Sequence, residues 1–315
     1  MAISRRDLLK GAAVAGAAGA ATALAGPAQA REEPEQLPDA VGMLYDSTLC
    51  IGCRACVRKC KEVNSLPDEP TAGAAMPTDL NASTKNIIKL VEDGDKRGFV
   101  KQQCMHCLDP SCVSVCMLGA LHKEGQGKRA AEGEHQGSGI VLYDKTTCVG
   151  CRYCQLACAF NVPKFEWDKA LPLIVKCELC RHRRDAQKGG VLAQANPGCC
   201  EVCPRGAVIY GKREELLAEA KRRVAAEPGR YHPQIYGEKE GGGTQVLYLA
   251  AAGLDFQKLG MPDLPERSSA DFSESVSHAP YLHGITPVAL YVAMAGAIWW
   301  NKKKEAATEG HEEDK

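Results

Sequence analysis

Seventeen cysteines in a 315-residue chain, sixteen of them falling into four sets, constrain this sequence more than any other feature. The sets read CIGCRACVRKC (50–60), CMHCLDPSCVSVC (104–116), CVGCRYCQLAC (148–158), and CELC (177–180) completed by CCEVC (199–203). The first and third share the spacing C-x2-C-x2-C-x3-C. The second widens one gap, and the fourth carries an insert between Cys180 and Cys199. Three cysteines in such a loop can hold three irons of a cubane and leave the fourth iron to a cysteine from another run. Each pair of sets therefore makes one ferredoxin-like unit with two 4Fe-4S clusters, and the chain is expected to carry four.

Zinc and disulfides are the competing uses of cysteine. A structural zinc site is complete with two C-x2-C pairs and has no need of a third and fourth cysteine at these spacings. Disulfides suit an oxidising compartment, but residues 4–10, SRRDLLK, hold a twin-arginine pair ahead of an Ala/Gly-rich run ending in Ala28-Gln29-Ala30. That pattern predicts a twin-arginine export signal over 1–30, which moves proteins already folded around their cofactors and so shields thiolates from oxidation. In the last set either Cys199 or Cys200 could close the run. DPSCVSVC aligned with NPGCCEVC favours Cys199 and makes Cys200 the spare thiol, a packing residue.

At the other end, residues 279–301 form an uncharged run with Trp299 and Trp300 near its close and Lys302, Lys303 and Lys304 just beyond. Its length suits a membrane-crossing helix, and the lysines keep the 302–315 tail cytoplasmic. The expected organisation is then a linker over 31–42, a loop-rich cluster domain over 43–212, an extension and linker over 213–278, and the anchor. Short strands are expected in GIVLYD (139–144), AVIY (207–210) and QVLYLA (245–250). A helix is expected in KREELLAEAKRRVAAEPG, with Leu216, Leu217, Ala220 and Val224 on one face and Pro228-Gly229 as its stop. The fold class is α+β.

A formal net charge of zero gives no basic excess for nucleic acid. No strand-associated phosphate loop is present and no residue qualifies as catalytic. His106 lacks a nearby carboxylate and reads as an orienting or surface residue, and RHRR (181–184) as a charged loop or a docking element.

Four such sets in this order, with NIIKL before QQCMHC, CPRGAVIYGKREELLAEAKRR after the last set, YGEKEGGGTQVLYL, an export signal and one C-terminal apolar helix, resemble the iron-sulfur subunits of periplasmic membrane-bound nickel-iron hydrogenases of the hydrogenase-2 type. The β subunits of formate dehydrogenase-N and dimethyl sulfoxide reductase are related to these. The resemblance implies a nested pairing of the sets. Cluster one takes Cys50, Cys53, Cys56 and Cys203; cluster two takes Cys60, Cys177, Cys180 and Cys199. Cluster three takes Cys104, Cys107, Cys112 and Cys158; cluster four takes Cys116, Cys148, Cys151 and Cys154. It also implies the function: electron relay between periplasmic hydrogenase subunits and an integral membrane, quinone-reactive subunit. The β subunit of a molybdenum or tungsten oxidoreductase and a non-redox metal scaffold are the alternatives.

Reduction adds negative charge, so local cations raise a cluster's potential. Arg54, Arg58, Lys59 and Lys61 flank set one, and Lys176, Arg181, Arg183 and Arg184 flank set four. Between Cys104 and Cys116 the only charge is Asp109. On that count clusters one and two should be easier to reduce than cluster three.

Overall fold

The computed structural model describes residues 37–70, 73, 76–126, 137–185, 196–273, 291 and 294–302. At its centre lies strand β1 (Val41–Asp46), buried along its whole length. It pairs antiparallel with β8 (Val208–Lys212) on one side and parallel with β9 (Val246–Leu249) on the other. Successive side chains of a strand face opposite ways, and the sheet uses this to divide two interiors. Val41, Met43 and Tyr45, with Val246 and Tyr248, join the core that also contains Cys56, Cys104, Cys177 and Cys199. Leu44, Leu247 and Leu249 face the other way, onto Leu216, Ala220, Tyr231 and Ile235. Gly42 permits the close approach of β9, since a Cβ there would lie 2.3 Å from the Gln245 carbonyl oxygen.

Leu216 and Ala220 belong to the longest described helix of this body, Arg213–Ala226, where their four-residue spacing places them on one face. Glu214 and Glu215 occupy its first turn and Arg223 its last, which complements the helix dipole. Pro228 follows within two residues and cannot continue the helix. Leu217 and Val224 are only partly buried beside it, so the apolar face is narrower than the four-residue stripe expected.

The other expected strands appear as β5 (Val141–Tyr143), β8 and β9. The sequence expectations include no strand over 87–102, where the structure has a hairpin of β2 (Ile87–Asp93) and β3 (Lys96–Gln102) turned at Gly94-Asp95, a dipeptide that favours two-residue turns. Its buried ends, Ile87, Ile88, Val100 and Lys101, reach the core; its tip is exposed.

Because β9 lies in the same sheet as β1, residues beyond Lys212 are part of one body that extends to Asp271. The linker expected up to residue 42 already contains the start of β1. Tyr236 ties the last part of this body down, donating from its hydroxyl to the Pro262 carbonyl at 2.7 Å. Tyr236→Phe is expected to cost about 1 kcal/mol, read as faster amide exchange around Met261 with unchanged protection in β1.

Phe272 onward belongs to a second unit, of which residues 294–302 are helical, with Met294, Ile298, Trp299 and Trp300 exposed. The export signal over 1–30 lies outside the described residues, as does most of the 279–301 span. Among the described residues no helix is long and apolar enough to cross a membrane.

Candidate iron-sulfur centres

The cysteine sets fold as loops that share a backbone device. In the first C-x2-C pair of each set the second intervening residue is left-handed: Gly52 (φ 69), His106 (φ 47), Gly150 (φ 71) and Leu179 (φ 47). This turns backbone N–H groups toward sulfur, as in the anion-binding nests of other loops. Gly150 N–H donates to Cys148 Sγ at 3.4 Å and Leu179 N–H to Cys177 Sγ at 3.4 Å. Leu121, Val162 and Ala207 N–H groups donate likewise to Cys116, Cys158 and Cys203, at 3.4, 3.5 and 3.2 Å. Short helices follow the loops. Ala55–Val63 carries Cys56 and Cys60, Ser111–Ser114 carries Cys112, Tyr153–Ala157 carries Cys154, and Gly198–Glu201 carries Cys199 and Cys200.

All seventeen thiols are free, and their mutual electrostatics gather fifteen of them into four groups, to the first of which Cys53 is added by its loop. Cys56 interacts with Cys50 and Cys203, and with Cys199 of the neighbouring group. Cys177 interacts with Cys60, Cys180 and Cys199. Cys112 interacts with Cys104, Cys107 and Cys158, and Cys154 with Cys116, Cys148 and Cys151. Cys53 belongs to the first loop and is exposed. Among the described residues, no three His, Cys, Asp or Glu side chains close around a point as the ligands of a single metal ion would.

The groups form a series. Cys56 and Cys60 lie one turn apart on one helix yet belong to groups one and two, and Cys199, on the Gly198–Glu201 helix, and Cys203, two residues beyond its end, likewise belong to groups two and one. Cys112 and Cys116, and Cys154 and Cys158, join groups three and four. The Ala55–Val63 helix packs on Gly198–Glu201, and Ser111–Ser114 on Tyr153–Ala157. Tyr248 stands between the two halves, interacting with Cys177 and Cys199 of group two and with Cys104 of group three. Group two is wholly buried, whereas groups one and four each present one exposed thiol, Cys53 and Cys151.

The donor set fits iron-sulfur clusters. Burial pushes the Cys56 thiol up to about 12 and the Cys60 and Cys154 thiols to about 11, with neighbouring thiols adding to the rise. The fold by itself therefore disfavours bare thiolates, and four of them side by side require positive charge at the centre of the group, which iron supplies. Cys199 is the exception. Its thiol is lowered chiefly by a hydrogen bond with Cys200, whose own thiol is raised by the same contact. Asn64 also hydrogen-bonds sulfur, its Nδ2 donating to Cys60 Sγ at 3.7 Å and to Cys180 Sγ at 4.0 Å.

The local charge count does not survive folding. Lys59 pairs with Glu62, Lys61 with Glu69, and Arg183 with Glu201. Near group three, where only Asp109 was expected, buried Lys123 and Lys176 act on Cys104. Lys176 also acts on Cys112, and Lys123 donates to the Cys107 carbonyl at 2.8 Å. Lys176 belongs to set four by sequence but donates to the Val141 carbonyl and serves group three. The ground for ranking cluster three below clusters one and two is thereby removed.

His106 is fully buried and neutral, its pKa pulled well down by burial and by Lys176 and Lys123. Val141 N–H donates to its Nδ1 at 3.0 Å, so it is an internal brace and not a surface residue. The RHRR run is largely engaged as well: His182 Nε2 bonds the Val63 carbonyl at 2.8 Å, and Arg183 bonds the Asn196 carbonyl and Glu201. It clamps the fourth set to its neighbours.

Models of the 4Fe-4S dicluster domain match residues 49–120 and 96–213. The chain is thus an iron-sulfur electron-transfer protein with two dicluster domains, which amounts to four 4Fe-4S clusters. It is 38% identical, over an alignment of 337 residues covering 96% of this chain and 97% of the relative, to the hydrogenase-2 operon protein HybA of Escherichia coli O157:H7. It is 30% identical to the nitrate-inducible formate dehydrogenase iron-sulfur subunit of Escherichia coli K12, covering 79% of this chain and 77% of that one. The formate dehydrogenase-O iron-sulfur subunit of the same organism is 32% identical, with 76% and 75% covered. The chain belongs to the family of iron-sulfur subunits that includes HybA and the formate dehydrogenase iron-sulfur subunits.

Proposed function

We propose that the sixteen cysteines ligate the four clusters in the grouping above, Cys50, Cys53, Cys56 and Cys203 holding the first, and that electrons pass through them in the order one, two, three, four. The arrangement of the groups supports this: a buried interior flanked by two outer groups, each with one exposed thiol. When bound, the clusters supply one-electron redox chemistry. The chain's own residues hold them in series, exclude water from the middle, and set the charge around each.

The two ends differ in surface. Cys116, Cys148, Cys151 and Cys154 of group four themselves line a cavity of about 220 Å³, the space the fourth cluster would fill, together with apolar Met117, Leu118, Val149 and Phe165. Around it Met117, Leu118, Val149, Tyr153, Leu156, Trp167 and Leu171 are exposed, an apolar collar of the kind that marks an interaction face. Group one is rimmed by exposed Arg58 and Arg205, with Ile51 as its exposed apolar residue. We assign the apolar end to an integral membrane, quinone-reactive partner and the basic end to the catalytic partner. That partner is a nickel-iron hydrogenase oxidising dihydrogen, a reading supported by identity to HybA along nearly the whole chain. Reading 1–30 as an export signal and 279–301 as a membrane anchor, we assign the body to the periplasmic side of the membrane, with lipid around the C-terminal segment.

Metal analysis of the detergent-extracted complex tests the partner. Nickel is the expected result; molybdenum or tungsten would transfer the chain to the formate dehydrogenase branch. Absence of iron and acid-labile sulfide would leave only a scaffold. A chain ending at Ser277 keeps every proposed ligand, since the last is Cys203. It is expected to reduce a soluble dye with its catalytic partner but to lose quinone reduction, and normal quinone reduction would show the C-terminal segment to be dispensable.

A further inference from the structure

Residues 105–108 of the second cysteine loop find their backbone partners much later in the chain. They run antiparallel along 243–246, where Leu108 N–H donates to the Gly243 carbonyl at 3.0 Å, Gln245 N–H to the His106 carbonyl at 3.1 Å and Val246 N–H to the Met105 carbonyl at 3.2 Å. The glycines ahead of this segment carry the contact onward. Gly241 N–H donates to the Pro265 carbonyl at 2.7 Å, and a Cβ on Gly242 would lie 2.8 Å from that of Ser268, so 265–268 rests directly on the turn.

Ser268 brings this path back to the cysteine loop. It is 7% exposed, and its hydroxyl donates to Asp109 Oδ2; Asp109, itself 8% exposed, lies between Cys107 and Cys112. The same hydroxyl oxygen accepts the Asp271 N–H at 3.0 Å and so caps the helical turn that begins at Ser269. Both the donor and an acceptor site of this one side chain are therefore in use. On the inner side, Tyr236 meets Phe160, two residues past Cys158, edge-on at 6.4 Å, and Phe256 at 5.2 Å. Phe256 and Met261 are buried in the same core as Cys104. Residues 237–271 thus form a strap over the loop of group three, closed at its far end by Ser268 and Asp109.

We propose that the contact between Ser268 and Asp109 is a latch that links the third cluster to the end of the body. The loaded loop presents Asp109 and holds the strap shut, and the shut strap limits access to that cluster. This rests on the reading that Cys104, Cys107, Cys112 and Cys158 hold a 4Fe-4S cluster. Four ligands fix a loop only when the metal joins them, so an empty site frees the backbone between Cys107 and Cys112, and Asp109 with it. Coupling of this kind is reciprocal, so a strap stabilised by the cluster must stabilise the cluster in turn.

The test uses the full chain in its complex and follows amide exchange over 261–271. Cys158→Ser removes a ligand of the third cluster from a set remote in sequence from both latch residues. It is expected to raise exchange over 261–271 about tenfold, the scale of a hydrogen bond to a charged group. Cys154→Ser, in the same set but assigned to the fourth cluster, should leave that exchange unchanged, and β1 should stay protected in both. In the other direction, Ser268→Ala should speed iron release to the ferrous chelator ferrozine about tenfold, by the reciprocity of the coupling. The loss should be confined to the electron paramagnetic resonance signal that Cys158→Ser removes. Asp109→Ala should behave like Ser268→Ala, and Asp109→Asn, which keeps an acceptor, should stay closer to the unaltered chain.

Unchanged exchange over 261–271 in Cys158→Ser, an equal rise in Cys154→Ser, or iron loss in Ser268→Ala spread evenly over all the clusters would overturn the inference. If Cys158→Ser also unprotects β1, it has failed to fold and Ser268→Ala decides: selective iron loss supports the latch, and unaltered release removes it. An unaltered chain lacking iron and sulfide would sink the cluster reading as well, while a fully loaded chain whose strap ignores the loss of Cys158 would sink this inference alone.

Discussion

Cys199→Ser and Cys60→Ser are each expected to lose the second cluster, one of four, while Cys200→Ser retains full iron. Cys60 and Cys199 come from sets far apart in sequence, but both interact with Cys177 and with each other. Removing either leaves the same cubane with an unligated corner. The double variant should be no worse than either single one, because both changes act on one unit. Metal binding is coupled to folding, so both variants should also become more open to protease where the Ala55–Val63 helix packs on Gly198–Glu201. Cys200 hydrogen-bonds with the Cys199 sulfur, and serine can still donate there, so Cys200→Ser should move the second cluster's potential slightly without unloading it. Iron and sulfide per chain is the measurement. Full loading of Cys199→Ser together with loss in Cys200→Ser would reverse the assignment of the two thiols.

The second large effect is expected far from the clusters, at Asp46. This carboxylate ends β1, is 0% exposed, and accepts four hydrogen bonds. Thr48 donates from N–H at 3.0 Å and from Oγ1 at 2.6 Å, Tyr231 from its hydroxyl at 3.0 Å, and Arg223 from Nη1 at 3.1 Å. The Arg223 pair pins the last turn of the long helix to the central strand. Asp46→Ala leaves Arg223 without that partner and removes one of two hydrogen-bond partners of the Tyr231 hydroxyl, Thr48 being the other, for which a cost of about 3–5 kcal/mol is the usual scale. Arg223 keeps Glu219 at 2.8 Å and its side chain is 18% exposed, which sets the expectation at the lower end. Asp46→Asn keeps an acceptor and should cost less. Amide exchange in β1 and the helix reads the effect directly; unchanged protection in Asp46→Ala would show the network to be incidental.

Much of this molecule is legible in one dimension because its chemistry is local. A C-x2-C loop is self-contained: the left-handed residue two after the first cysteine and the N–H groups it turns toward sulfur all lie within a few residues. The same holds for the Arg213–Ala226 helix, whose period, first-turn acids and stop are neighbours in sequence. The choice of Cys199 over Cys200 is also within reach of alignment, since DPSCVSVC and NPGCCEVC match. The β2–β3 hairpin is equally local, since the glycine at Gly94-Asp95 between two apolar runs encodes its two-residue turn.

Charge was not legible in this way, because electrostatic effect depends on distance and burial, not on sequence separation. Lys59, Lys61 and Arg183, close to cysteines along the chain, are neutralised by Glu62, Glu69 and Glu201. Lys101, Lys123 and Lys176 come from strands or strand ends and are carried into the interior by the pairing of β3 with β2, by the pairing of β4 (Leu121–Lys123) with β5, and by the turn before Cys177. The sequence alone determined that this chain holds iron-sulfur clusters and how each ligand loop is shaped, since cysteine spacing encodes both. Only the tertiary structure decided which cations accompany each cluster, because burying a lysine among thiols requires strands from distant parts of the chain to close around it.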